Sequence, residues 1–363
     1  MNLLFFQNCI SPHQVPYIKE LCHDKRVDNV CLIVPRVDYE QRIDMGWNGK
    51  HLLDNSEVGL FVLPTDEMVK ELFMEEEVYA FFSGIRADKD VFHWLKLSLG
   101  FNVKRGIITE APSTYFFKPL LLHRLRFFML DYRFVKSIDY VYTFGNIATK
   151  YYRFWSKRWK VVPFSYCTEA GTVLNNISVS QIPKLLYVGS INRRKNVSAV
   201  LKAMVTDNLH LESFHIIGDG SRRQHLERYV EYHQLKNVVL HGAMDMWQVH
   251  AIMPEFDILV LPSLYDGWGA VINEALQCGL YVICSDKCGA KDLLVNEKLG
   301  NVFHSRKDLA SSLSKAIKNI LVIRQDCSYR KSWAETISGK SLAKYFVDNL
   351  QTNECIVEPW KIF

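Results

Sequence analysis

No apolar run in this chain of 363 residues reaches the roughly 20 residues that cross a bilayer. The best candidate, 120–130, is interrupted by His123, Arg124 and Arg126, so no membrane-spanning helix is expected. The opening MNLLFFQNCISPHQ has no basic leader segment and reads as a first buried strand rather than a signal peptide. No CxxC spacing or paired histidine accompanies Cys278, Cys284 and Cys288, which excludes a metal framework. The nine scattered cysteines read as free thiols in a reducing, cytoplasmic compartment. No GxGxxG follows the first strand, where Gln7, Asn8, Cys9, Ile10 and Ser11 stand instead. That makes a nicotinamide-dependent dehydrogenase the weakest reading. A net charge of +5 is too mild for bulk nucleic-acid binding. Fixed-period repeats and low-complexity segments are absent as well.

What remains is a folded composition, 48% apolar and 23% charged, in a chain too long for one ordinary core. Short apolar runs alternate with helical patterns in the first half. Leu3–Gln7, Val30–Val34, Val58–Leu63, Val78–Phe82, Val103–Thr109 and Tyr140–Thr143 read as strands. Gln14–Cys22, Asp66–Phe73, Lys89–Leu99 and Tyr115–Val135 read as helices, and 38–53 as a loop insertion. A second alternating set begins at Lys184. Such alternation predicts an α/β chain with two Rossmann-like domains in series. The expected division is 1–165, a polar linker at 166–183, a second domain at 184–335 and a helical tail at 336–363.

Three stretches carry the chemistry. In 257–292, a strand stopped by Pro262 feeds a loop with Asp266, Gly267, Trp268 and Gly269, then a helix bearing Glu274. A loop leading into a helix start offers unpaired N–H groups to an anion, and a carboxylate about one turn on reaches toward sugar hydroxyls. The pattern suggests a nucleotide or a nucleotide sugar. In LLYVGSINRRKN, a strand ends at Gly189 and a loop brings Ser190, Arg193, Arg194 and Lys195 toward a helix. Cations there suit a diphosphate, Lys195 best, and a solvated basic turn is the plain alternative. In FHIIGDGSRR, the Gly218-Asp219-Gly220 turn permits close backbone approach, although a simple strand-to-helix turn explains it equally.

Taken in order, VGSINRRKN, IIGDG, NVVLHGAM and VLPSLYDGWGAVINEAL with CGLYVICSDKCGAKDLL resemble glycosyltransferase family 4. That resemblance covers 184 to about 300. It implies the GT-B fold, two Rossmann-like domains with a cleft between them, and retaining transfer from a nucleoside diphosphate sugar, with UDP and GDP both open. It gives Glu274 the ribose hydroxyls, Asp266 the transferred sugar and Lys195 the diphosphate. Gly189, Ser190, Arg194, Gly218, Asp219 and the backbone of Gly267, Trp268 and Gly269 complete the donor site. Two departures stand out: Asp266 where the family usually has Glu, and Ser190 where it often has Arg. The tail is expected to pack back on the first domain, as in other GT-B chains.

The first half resembles the family less. NCISPHQVPYIKEL has the shape of the loop after strand one in acceptor domains, which places His13 toward an acceptor or the donor phosphate. Glu110, after a strand, faces the same way and suits an acceptor hydroxyl. Both are candidate catalytic residues with Asp266, Glu274 and Lys195. Asp88-Lys89-Asp90 matches a metal-binding DxD pattern, but it precedes a helix and reads as a cap; no metal and no cofactor are expected. Lys150–Lys160 mixes bases with large aromatics, and Arg124, Arg126 and Arg133 sit among Phe and Leu. These suggest contact with an anionic membrane, on the inner face, with snorkelling bases over a buried aromatic face as the alternative. The expected partners are a nucleotide sugar and a glycan or lipid-linked acceptor in surface-polysaccharide or lipopolysaccharide synthesis, without nucleic acid. The rival reading is a non-catalytic nucleotide-sugar-binding protein of the same fold.

Overall fold

The computed structural model describes residues 1–39, 49–111, 120–168 and 180–363. Most of the expected linker, and 40–48 of the loop insertion, lie outside the described residues, as do 112–119. The chain forms two compact units. One holds the described residues up to 168 together with Ile337–Ile362, and the other holds 180–336 and Phe363.

The first unit is a seven-stranded, all-parallel sheet in the order β3-β2-β1-β4-β5-β6-β7. Its strands are β1 Asn2–Phe6, β2 Asn29–Val34, β3 Gly59–Val62, β4 Val78–Ser83, β5 Lys104–Glu110, β6 Tyr140–Phe144 and β7 Lys160–Phe164. Parallel sheets are covered on both faces, so central strands read as unbroken apolar runs. β1, NLLFF, is buried along its whole length. The sequence pattern does not reveal β7, because Pro163 reads as a breaker. It is tolerated since β7 is an edge strand, where a missing N–H disrupts little. Of the predicted helix at Tyr115–Val135, 115–119 lie outside the described residues; Leu120–Leu130 is helical, and a tighter 3-10 turn follows at Tyr132–Ser137.

The helix Gly339–Gln351 belongs to this unit's core. The Phe346 ring lies 4.3 Å from that of Tyr142, 4.8 Å from Phe81 and 5.6 Å from Phe5. Gly339 lets this helix approach Val15–Leu21 closely, since a Cβ there would stand 2.6 Å from the Pro16 carbonyl oxygen. Lys160 donates to the carbonyls of Asn349 and Thr352 at 2.5 and 2.6 Å.

The second unit is a six-stranded parallel sheet in the order β10-β9-β8-β11-β12-β13. Its strands are β8 Lys184–Val188, β9 Ser213–Ile217, β10 Val238–Gly242, β11 Ile258–Leu261, β12 Tyr281–Ser285 and β13 Gly300–Phe303. The sequence pattern also passes over β13, which is four residues long and opens on a glycine. Helices lie between the strands, and β11 is wholly buried. Both units are therefore Rossmann-like, as the alternation predicts.

Candidate functional site

The second sheet reverses its winding between β8 and β11. At such a reversal two loops leave the carboxyl ends of neighbouring strands in opposite directions, which opens a crevice for a ligand. Here the loops are 189–197 and 262–270. They are stitched together: the Leu264 N–H donates to the Arg194 carbonyl at 2.8 Å, and Arg194 Nη1 donates to the Tyr265 carbonyl at 2.9 Å.

That stitching brings three charges together. Lys195 Nζ stands 2.5 Å from Asp266 Oδ2, and Arg194 Nη1 is 3.3 Å from Asp266 Oδ1. The Ser263 hydroxyl adds a hydrogen bond at 3.3 Å. Asp266 and Lys195 are nearly buried, whereas the Arg194 side chain is 42% exposed. One carboxylate faces two cations, so this cluster carries an excess positive charge suited to an anion. Sequence reasoning sends Lys195 to a diphosphate and Asp266 to a sugar; the structure joins the two to each other.

Backbone packing fixes the neighbouring turn. A Cβ on Gly218, whose φ is +133°, would fall 2.1 Å from the Gly189 carbonyl oxygen, so only glycine fits where these turns meet. The Ile191 N–H donates to the Asp219 carbonyl at 2.8 Å. The Asp219 carboxylate pairs with Arg223 at 3.1 Å, outside the Asp266 cluster. The Ser190 carbonyl accepts from the Tyr187 hydroxyl at 2.9 Å.

The next helix, Val271–Gln277, carries Glu274, which is buried rather than a surface acid. Its Oε2 lies 3.6 Å from His250 Nε2. His250, on the helix Met246–Ile252, carries no motif signal and escapes sequence reasoning. Trp268 is buried, and its indole N–H donates to Asn273 Oδ1 at 2.8 Å, so this ring braces the helix start. Gly267 is pinned from behind: a Cβ on Gly289 would stand 2.1 Å from the Gly267 carbonyl oxygen. Burial and then the Asp266 charge push the Cys288 thiol up to about 12. Burial and then Glu274 do the same for Cys278, also to about 12. Both stay protonated near neutrality, so neither supplies a thiolate nucleophile. Among the described residues no group of His, Cys, Asp and Glu is arranged to hold a metal ion.

His13 and Glu110 lie on the first unit, on either side of Tyr166. The Tyr166 hydroxyl donates to Glu110 Oε1 at 2.9 Å, and its ring lies 5.8 Å from the His13 imidazole. Tyr166 has no sequence signal of its own. Asp88 caps the helix Lys89–Ser98, accepting from the Asp90 and Val91 N–H groups, and pairs with Arg36 at 3.1 Å. The DxD pattern is thus a cap, as predicted. In 150–160, Tyr151, Tyr152 and Trp159 are buried while Phe154 and the bases Lys150, Arg153, Lys157 and Arg158 are exposed. Leu122, Leu125, Phe128 and Met129 are also exposed; the side chains of Arg124 and Arg126 lie outside the described residues. No described helix is long and apolar enough to cross a membrane.

Residues 176–336 match the family model described as Glycosyl transferases group 1. A curated relative, the phosphatidylinositol N-acetylglucosaminyltransferase gpi3 subunit of Schizosaccharomyces pombe, is 34% identical over 109 residues, 30% of this chain and 24% of the relative. The N-acetylgalactosamine-N,N'-diacetylbacillosaminyl-diphospho-undecaprenol 4-alpha-N-acetylgalactosaminyltransferase of Campylobacter jejuni is 25% identical over 163 residues, 45% of this chain and 42% of the relative. The matches thus span only 24% and 42% of these relatives' own lengths. Among solved structures, Anabaena HepE in complex with UDP and glucose superposes with a TM-score of 0.69 at 12% identity, covering 97% of this chain and 100% of HepE. That likeness fixes the fold as GT-B.

Proposed function

We propose that this chain, a GT-B protein whose second unit belongs to the group 1 glycosyl transferases, is a retaining, metal-independent glycosyltransferase. It moves a sugar from a nucleoside diphosphate sugar to a glycan or lipid-linked saccharide in polysaccharide or lipopolysaccharide synthesis. The observation that carries this reading is the Lys195–Asp266–Arg194 cluster at the winding reversal of the family-matching unit. Support comes from the names of the relatives, which are glycosyltransferases with lipid-borne acceptors, and from the UDP and glucose bound to HepE.

In this reading the donor diphosphate shares Lys195 and Arg194 with Asp266, beside Gly189, Ser190 and the Gly218-Asp219 turn. The freed Asp266 oxygen accepts from the transferred sugar, and Glu274 grips the ribose. The acceptor hydroxyl attacks the anomeric carbon on the face the phosphate leaves. The carbon–oxygen bond to phosphate breaks as the new glycosidic bond forms, and the acceptor proton passes to the departing phosphate oxygen. Lys195 and the backbone of Gly267, Trp268 and Gly269 stabilise charge growing on that phosphate, which is where stabilisation accelerates the step. His13 and Glu110 serve the acceptor.

The exposed Phe128, Met129 and Phe154, with Arg133, Lys150 and Lys157 exposed in the same unit, support contact with an anionic membrane, at the cytoplasmic face. The test is a thermal-shift screen of UDP, GDP and their sugars, followed by assay of nucleoside diphosphate release with mixed acceptors. Stabilisation by one nucleotide and release from its sugar are expected. Protection without release in any mixture leaves a binding protein instead, and no protection at all removes the site.

A further inference from the structure

The second unit holds a cavity of about 230 Å³ beside the crevice, and Lys195, Asp266 and Glu274 are not among its lining residues. Its walls come from the loop after β8, the start of the helix Ser198–Thr206, and the residues opening the helix Arg223–Tyr232. Arg193, Lys202, Arg222 and His225 all line it. None of their side chains has a hydrogen-bond or ion-pair partner among the described residues. The neighbouring Arg223, by contrast, is held by both Asp219 at 3.1 Å and Glu227 at 2.8 Å. Among the described residues no carboxylate lines the cavity.

Three arginine or lysine cations drawn around one recess repel each other unless something negative sits among them. Beneath them Ile191, Val197 and Leu226 form a buried apolar floor, which strengthens charge pairing by excluding water. Ser198 adds a hydroxyl donor to the lining. We propose that this recess is a second anion site, separate from the donor crevice, taking a soluble phosphate or diphosphate ester. Its volume is below the roughly 300–1,000 Å³ of pockets for drug-sized ligands, which favours a sugar phosphate or diphosphate over a whole nucleotide sugar. Among the described residues, the only exposed apolar side chain on its rim is Leu264, too little to anchor a lipid surface. The loop that walls the recess is the loop that carries Lys195, and the Arg222 N–H donates to the Ile191 carbonyl at 2.9 Å. An occupant therefore also steadies the donor loop.

The experiment is calorimetric titration of the full chain with inorganic diphosphate, comparing Lys195→Ala, which disarms the donor crevice, with the triple variant that adds Lys202→Gln and Arg222→Gln. Lys195→Ala should still bind at the recess, and the triple variant should bind at least about ten-fold more weakly, the scale of losing charge-assisted contacts. The Lys202 and Arg222 side chains are solvent-accessible, and an unchanged melting temperature certifies the fold; Arg193→Gln gives a second, milder test in the same direction. Two results would overturn the proposal: no binding by Lys195→Ala, or equal binding by Lys195→Ala and the triple variant. Sedimentation with phosphatidylglycerol vesicles that depends on Lys202 and Arg222, without diphosphate binding, would overturn it in favour of a membrane contact. Because the donor crevice is disarmed in both proteins compared, failure here is distinct from failure of the transferase reading.

Discussion

Lys195 and Asp266 stand 71 positions apart in sequence, yet their charged atoms meet at 2.5 Å in a nearly buried pair. The pair exists because β8 and β11 are neighbours in the sheet, so the loops leaving them converge. Removing one partner of a buried pair ordinarily costs about 3–5 kcal/mol. Here Arg194 and Ser263 remain on Asp266, which softens the loss.

Lys195→Ala is therefore expected to lower stability by about 1–2 kcal/mol, below the usual range for a broken buried pair. It should cut nucleoside diphosphate release by about 10²–10³, the scale of losing one oxyanion donor. Melting curves and turnover read the two effects separately. A double-mutant cycle with Asp266→Asn should return a coupling of at least about 0.5 kcal/mol.

Glu274→Gln should raise the KM for the donor by about ten-fold or more, because a neutral amide makes a weaker bond to a ribose hydroxyl than a carboxylate does. His250, at 3.6 Å from Glu274, acts through that carboxylate. His250→Gln should thus shift KM in the same direction by less, with kcat nearly unchanged. Steady-state kinetics with the donor varied checks both.

Gly289→Ala places a methyl carbon 2.1 Å from the Gly267 carbonyl oxygen. Backbone must move to admit it, at a cost of about 2–4 kcal/mol, in the upper range for single substitutions. Denaturant titration should show this loss, and donor affinity should fall with it, since Gly267 lies in the donor loop.

The protein should lose stability in alkali. Cys278 and Cys288 rise from an ordinary value of 9.0 to about 12 in the folded state, mainly through burial. A group raised on folding contributes stability that is fully present below its unfolded pKa and is lost as pH climbs to its folded one. The window is therefore about pH 9 to 12. Cys288→Ala should flatten the decline of unfolding free energy across that window, measured by urea denaturation at stepped pH.

The parallel sheets were legible because their central strands are continuous apolar runs such as Leu3–Phe6 and Ile258–Leu261, which only a doubly covered sheet demands. The acids and bases at the second sheet's mouth were legible as residue types in a strand–loop–helix pattern. Their mutual pairing was not, since no local signal links Lys195 to a carboxylate so distant in the chain. Nor did any pattern reveal His250 or Tyr166, each an unremarkable residue made neighbour to a motif residue by tertiary packing. Pro163 hid a strand because its missing N–H is tolerated only at a sheet edge, and edge position is a property of the whole sheet.

The placement of Phe346 among Phe5, Phe81 and Tyr142 bears on the order of assembly. Residues 1–168 alone leave an aromatic face bare, so ribosomal emergence of this half does not complete it. The described residues of the intervening unit are continuous apart from Phe363, and it is free to mature first, while its predecessor waits, sticky and unfinished, for a helix made about 170 codons later. Chaperone dependence during synthesis should accordingly concentrate on the first unit rather than the second.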